Sequence, residues 1–419
     1  MKDLHRMRRL LWVYFWFLLF EGALRKWVFR GGVGNALLSV RDLIVLLMYL
    51  YAWKVNLFPR NILVIFGVFI ALVTFVVSCI MPDANIIIAI FGARTNFFYI
   101  PFIFLIPKII DKKHVEEFGY WILIMSIPMT LIMVAQFVSP ATSAINAAVG
   151  EGGQYDAALG HIRPAGTFSF NSGPTFFYSF AAVFLIHSQF SVGRYPAWLC
   201  IFSAFSLAIA VAVSSSRSLL SSVLIVCFFA LITFAVRMQL KARWVFISSG
   251  LVVGLFSLMM LPVVQEGVNV FMSRIDTANQ HEASSGGFFS RALKNFTAVE
   301  DAIAGVPALG YGLGKGTNFA AVILTGKAQF LSEFAEIEWQ RIVFESGPAI
   351  GGAFILYRIA ITCWMASIVI PFVKRKDPLP FLLFGSCFLG ILNGQLAFST
   401  NLGFIMFLCG LCLAATKSA

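Results

Sequence analysis

Apolar positions along the chain come in long uninterrupted blocks, and polar positions are gathered into the segments between them. Blocks long enough to cross a bilayer as a helix, which takes about 20 residues, fall at 10–24, 35–53, 61–81, 85–108, 118–138, 174–190, 195–213, 216–236, 244–263, 347–371, 379–396 and 398–415. The first block is short, and FGARTN interrupts the fourth. The pattern predicts an all-α, polytopic integral membrane protein with about twelve transmembrane helices. Residues 1–419 read as a single membrane domain without internal repeats. Two polar segments stand out from it: a short loop over 139–173, rich in Gly, Ser, Ala and Pro, and one large loop over 264–346.

Within the large loop, Ser290 to Ala304 reads as a short helix with Ser290 as its N-cap and apolar residues on one face. Gly310 to Gly316 (GYGLGKG) reads as a tight turn against the membrane, with backbone amides available to a sugar or phosphate. It is no nucleotide loop, because Gly316 stands where Ser or Thr is needed and no strand precedes it. From Ser332 onward the chain reads as a capped helix running straight into the next span.

Composition agrees with the pattern: 59% of residues are hydrophobic, 45 are Phe and only 12% are charged. Basic residues near short loops are retained on the cytoplasmic side. With both termini inside, most of the 31 Lys and Arg fall there, including Arg6, Arg8, Arg9, Arg60, Lys108, Lys112, Lys113, Arg194, Lys374 and Lys417. The net charge of +12 then reflects topology and attraction to anionic lipid, not nucleic-acid binding. Without a small-residue cleavage site after it, the first block reads as a retained helix. The seven cysteines lie in apolar blocks without metal-ligand spacing and read as reduced packing residues. No metal or cofactor is expected.

Both polar segments then lie on the outer side. In HIRPAGTFSFN, Arg163 has two readings: an interfacial turn that touches a lipid headgroup, or a planar fork that grips a phosphate with Thr167, Ser169 and Asn171 as further donors. In SSSRSLLSS, Arg217 either snorkels to the interface or turns inward beside Arg163, forming a dication suited to a pyrophosphate. At the end of the large loop, AEIEWQRIVFESG places Glu338, Arg341 and Glu345 on one helical stripe. Glu336 and Glu338, about 160° apart on a continuous helix, cannot face one cavity, so one is expected to be catalytic and the other solvated. A water-exposed acidic helix start is the plainer alternative. Arg41, Asp42, Glu21, Arg25, Lys26 and Arg358 lie in or beside spans and read as paired structural charges.

The order of these features resembles the O-antigen polymerase and O-antigen ligase superfamily of bacterial membrane glycosyltransferases. The resemblance covers roughly 85–415 and rests on RPAGTFSFN, SSSRS, PALGYGLG and FESG, in that order and topology. EGALRKWVF is also similar to the start of exopolysaccharide polymerases. Ligases carry a His at the position held here by Glu336, and this stretch contains none.

The resemblance implies polymerisation of undecaprenyl-diphosphate-linked oligosaccharide repeat units into a surface polysaccharide or exopolysaccharide at the periplasmic face of the inner membrane. The reaction would be inverting and metal-independent. Arg163 and Arg217 would bind the diphosphate and stabilise its charge as it leaves. Glu336 would orient or deprotonate the acceptor hydroxyl, and Arg341 with Glu338 and Asn171 would complete the substrate site. The expected partners are the lipid-linked glycan donor, the glycan acceptor, the bilayer and other polysaccharide-export or chain-length proteins. Two other functions fit the same chain: a ligase that hands glycan to lipid A core or to protein, and a lipid-linked-oligosaccharide flippase or secondary transporter.

Overall fold

The computed structural model describes residues 2–29, 31, 34, 36–149, 156–191, 193–237, 260–283, 296–327, 331–375 and 377–417. Most of the expected 244–263 span, the Ser290 cap and Lys376 lie outside these residues. The described chain is overwhelmingly helical. Its helices are α1 Lys2–Ala23, α2 Val40–Lys54, α3 Ile62–Ile80, α4 Ile86–Ala93, α5 Ile100–Ile109, α6 Lys112–Val138, α7 Ser172–Phe190 and α8 Ala197–Val213. They continue with α9 Arg217–Arg237, α10 Pro262–Ala283, α11 Val299–Gly305, α12 Asn318–Thr325, α13 Glu338–Val369, α14 Leu379–Asn393 and α15 Ser399–Ala414.

Among the described residues, α3, α6, α9 and α13 are long and apolar enough to cross a membrane. The pair α4 and α5, bent by 41° at a short break, makes a fifth if it counts as one span. Helices α8, α14 and α15 are apolar but shorter. Helix α3 shows the bilayer-facing pattern: Ile62, Ile65, Phe69, Leu72 and Ile80 are all exposed, an apolar surface that water would not tolerate. Helix α15 is the opposite case, buried from Asn401 through Ala414, and it occupies the centre against α5, α7 and α14.

Local chemistry sets the helix ends. The side chains of Asn61, Asn85 and Asp111 accept from backbone amides in the first turns of α3, α4 and α6, satisfying donors the helix cannot. In the expected 85–108 span the FGARTN interruption is a π-helical turn, Arg94–Phe98, and the span bends just after it. The expected helix from Ser332 is also broken. Ser332 caps only a 3₁₀ turn, Glu333–Ala335, and Ile337 is extended before α13 starts at Glu338. Glu336 therefore sits outside the helix, and the 160° separation from Glu338 does not apply.

The charges of α1 and α2 are paired, chiefly between elements instead of between adjacent residues. Arg41 Nε lies 2.7 Å from Glu21 on α1, while Asp42 binds Arg94 at 2.7 Å and the Tyr99 hydroxyl at 2.6 Å. Burial makes such pairing obligatory, because an uncompensated charge in an apolar interior is expensive.

Helix α13 kinks at Gly347, whose φ of 73° and ψ of 168° are open essentially to glycine alone. A Cβ there would also lie 2.1 Å from the Ala308 carbonyl oxygen. Gly347→Ala is expected to lower stability by at least about 1–3 kcal/mol, read as a fall in the unfolding midpoint of the purified protein. An unchanged midpoint would mean that the kink does not hold the large loop.

Candidate functional site

Three arginines from three separate elements converge where α7 and α9 begin. The loop 163–171 runs directly into α7, and Arg217 is the first residue of α9. The two helices pack side by side, with Thr175 Oγ1 3.4 Å from Ser218 Oγ and Ser222 Oγ donating to the Thr175 carbonyl at 3.4 Å. Helix α10 packs on α8, whose end leads into α9, and a Cβ on Gly267 would stand 3.0 Å from the Ala212 carbonyl oxygen. Arg274 of α10 donates through Nη1 to the carbonyl of Ser215, a residue held at φ 47°. The pKa of Arg274 is pushed down to about 10, first by burial and then by the positive charges of Arg163 and Arg217. Three like charges repel, and a polyanion among them turns that repulsion into attraction.

Sequence reasoning missed Arg274. The signal was present: Val264, Gly267 and Val270 are buried at a spacing of three, and Arg274 continues their stripe, where an amphipathic helix ordinarily places an apolar residue. His161 ties the same helix to the first loop. It belongs to the hairpin of β1 Asp156–Ala158 and β2 His161–Ile162, and its ring stacks on Phe137 with centroids 4.3 Å apart. Its Nδ1 lies 3.0 Å from the Phe137 carbonyl oxygen and its Nε2 2.9 Å from Glu266 Oε1.

The loop around Arg163 is held in shape by its neighbours. Gly166, at φ 59°, donates its amide to Gln136 Oε1 at 2.8 Å, and its carbonyl accepts from Gln136 and Lys26. Thr167 donates its hydroxyl to the Leu19 carbonyl at 2.6 Å, and Ser169 accepts from Arg25 at 3.2 Å. The Thr167 hydroxyl is thus buried and committed, and does not supply the phosphate contact expected of it. Asn171 is half-buried at the start of α7 without capping it. EGALRKWVF packs against this loop: a Cβ on Gly22 would meet the Ser169 nitrogen at 2.3 Å.

Glu338 and Arg341 do not face solvent. Both side chains are fully buried. Arg341 binds Glu338 through Nε at 2.9 Å and Nη2 at 3.0 Å, Glu345 through Nη1 at 2.7 Å, and Asn96 through Nη2 at 2.8 Å. Arg358 adds a 2.6 Å bond to Glu338 and reaches the carbonyls of Ile391, Gly390 and Gly394. Asn96, delivered by the π-turn, also donates to Glu345 at 3.1 Å. Two carboxylates and two guanidiniums neutralise one another and commit most of their hydrogen-bonding capacity. Buried and mutually paired, Glu338 and Arg341 present no exposed group to a substrate, and they anchor α13.

The glycine turn joins this anchor. Tyr311 and Gly312 donate their amides to the carbonyls of Phe344 and Glu345, both at 2.9 Å. Leu313 donates to Ser78 Oγ at 2.8 Å and Gly316 to Glu345 Oε1 at 3.2 Å. The turn is compact against the helices, as expected, but these amides are occupied and cannot cradle a ligand.

Glu336 is exposed, and its carbonyl accepts from Gln395. Gln395 belongs to the segment before α15 that also carries Phe398, whose ring stacks on Phe170 of the Arg163 loop at 5.2 Å. Near the outer segments Phe168 is buried and Tyr311 is exposed.

Glu116, His187 and Asp377 offer ligand atoms within 4.8 Å of one another, at the opposite end of α7. Lys112 and Arg194 already ion-pair with these carboxylates. Although burial opposes it, the hydrogen bond and charge of His187 and the Lys112 ammonium hold Asp377 well below the usual carboxylate range. The cluster is self-neutralised without a metal. Comparison with known proteins returns nothing, as no family model, curated protein or solved structure matches the chain.

Proposed function

We propose that this protein is a membrane glycosyltransferase that joins undecaprenyl-diphosphate-linked oligosaccharide repeat units into a polysaccharide at the outer face of a bacterial inner membrane. The observation that carries the reading is the convergence of Arg163, Arg217 and Arg274, a tricationic site suited to a diphosphate. In this reading the chain crosses the membrane about twelve times with both termini cytoplasmic, and 139–173 and 264–346 face the periplasm.

The acceptor hydroxyl attacks the anomeric carbon from the face opposite the diphosphate. The carbon–oxygen bond to the diphosphate breaks, its electron pair leaves with the phosphate oxygen, and the configuration inverts. The arginines bind the growing negative charge more tightly than the ground state, which lowers the barrier. Glu336, exposed and free of the buried anchor, takes the acceptor's proton.

Glu336→Gln is expected to slow chain growth about 10²-fold without changing protein yield. The assay is purified protein with a synthetic undecaprenyl-diphosphate oligosaccharide, in the presence of EDTA. Metal-independent growth that depends on Glu336 supports the reading. Transfer only when lipid A core is added would make the protein a ligase.

One observation favours a second reading. The broken α4–α5 pair and its π-turn resemble the discontinuous spans of transporters. Substrate-gradient transport in reconstituted vesicles, insensitive to changes at Arg163 and Glu336, would establish that reading and overturn the first.

A further inference from the structure

A cavity of about 590 Å³ opens at the end of the bundle away from the three arginines. Its position follows from α15. That helix meets the start of α7 through the 2.6 Å bond from Ser172 to Asn401, while Leu413, in its last turn, and Lys417, just past its end, line the cavity. The loop before α3 and the end of α5 close the remaining sides.

The lining is amphipathic in a specific way. Phe104, Trp364 and Leu413 form an apolar wall, and Arg60, Lys108 and Lys417 stand at the rim. No Asp or Glu is among the lining residues, and among the described residues none of the three cations is ion-paired. The Lys108 ammonium reaches only the Phe58 carbonyl, at 3.5 Å, and the Arg60 guanidinium lies 5.8 Å from the Trp53 ring centroid. Each keeps donors to spare. The N-terminus of the 19-residue α3, capped by Asn61, also borders the cavity and adds its partial positive charge. A second cavity at this end gives the contrast. It is about 330 Å³ and mixes Lys113 and Arg194 with Glu116 and Glu117, so it carries its own counter-charges.

We propose that the larger cavity is a binding site for one anionic phospholipid of the cytoplasmic leaflet. The phosphodiester would lie among Arg60, Lys108 and Lys417, and an acyl chain would follow Phe104 and Trp364. Three cations without an ion pair among the described residues, beside an apolar wall, fit a headgroup and its chain together, which neither a soluble anion nor a zwitterionic lipid satisfies as fully. The inference rests on the proposed orientation of the chain, and not on its chemistry.

The test is native mass spectrometry of the full-length protein in detergent, titrated with phosphatidylglycerol, phosphatidylcholine or inorganic phosphate. One phosphatidylglycerol is expected to be retained at least about tenfold more tightly than phosphatidylcholine, with Arg60→Ala, Lys108→Ala and Lys417→Ala each weakening it about fivefold. Lys113→Ala, at the other cavity, is expected to leave retention unchanged. Equal retention of the two lipids by the wild-type protein overturns the proposal, as does unaltered phosphatidylglycerol binding in the triple variant. Saturation by inorganic phosphate with the same affinity overturns the lipid assignment in favour of a free anion. Chain growth is not the readout, so failure of the glycosyltransferase reading would leave this result standing. Labelling of Lys108→Cys from the periplasmic side would overturn the orientation and with it the assignment to the cytoplasmic leaflet.

Discussion

Arg163→Ala, Arg217→Ala and Arg274→Ala are each expected to cut chain growth about 10²–10³-fold, the usual effect of removing one preorganised charge-stabilising donor. Protein levels in the membrane should stay near wild type, because all three side chains are only partly buried. In the proposed reaction the three act on one anion, so the double and triple variants should lose little beyond the first loss. Lysine replacements separate charge from geometry. Arg163→Lys keeps the charge but loses the planar fork that takes two phosphate oxygens at once, and is expected to recover only part of the rate.

Arg274 carries the sharper test, since it also donates to the Ser215 carbonyl. If its role were only to hold that turn, Arg274→Ala would lower stability without changing KM or kcat. A variant with normal polymer length removes that arginine from the mechanism.

The membrane class was legible because apolar blocks are a one-dimensional signal, and block edges coincide with observed helix ends at Val138 and Val213 and fall within one residue of the helix start at Ile62. Arg163 and Arg217 were legible for a related reason, since charge in an apolar surrounding needs a cause. Burial of the Glu338 stripe was not legible. Its i, i+3, i+7 spacing is plain in the sequence, but the partners that seal it do not lie beside it: Asn96 comes from a distant element and Arg358 from 20 residues further along α13. The same gap concealed the fate of the glycine turn. GYGLGKG supplies the positive φ values of Gly310, Gly312 and Gly314, but nothing local says that Phe344 and Glu345 will take its amides.

The break at Glu336–Ile337 escaped notice for a different reason. No glycine or proline marks it, and Glu336, Glu338 and Arg341 all favour helix. Burying Glu338 and Arg341 against Arg358 sets where α13 must start, and the preceding residues bend to join it. Tertiary pairing overrode local preference here, and it moved Glu336 out of the helix into solvent while its neighbour was buried.

Glu338→Gln and Arg358→Met are each expected to destabilise the protein by about 3–5 kcal/mol, the range for removing one partner of a buried ion pair. In Glu338→Gln, two guanidiniums lose a bidentate and a single bond to a carboxylate, and one of them is left with uncompensated charge. Glu345→Gln should cost less, since an amide oxygen can still accept from Arg341 and from the Gly316 amide. Removing both charges of the Glu338–Arg358 pair should cost less than the sum of the two single changes, because the residual charge disappears. The measurement is the unfolding midpoint in detergent, with Glu336→Gln as the control expected to melt like wild type. If Glu338→Gln instead melted normally and lost only chain growth, Glu338 would belong with the reacting groups, and the distinction between anchor and anion site would fail.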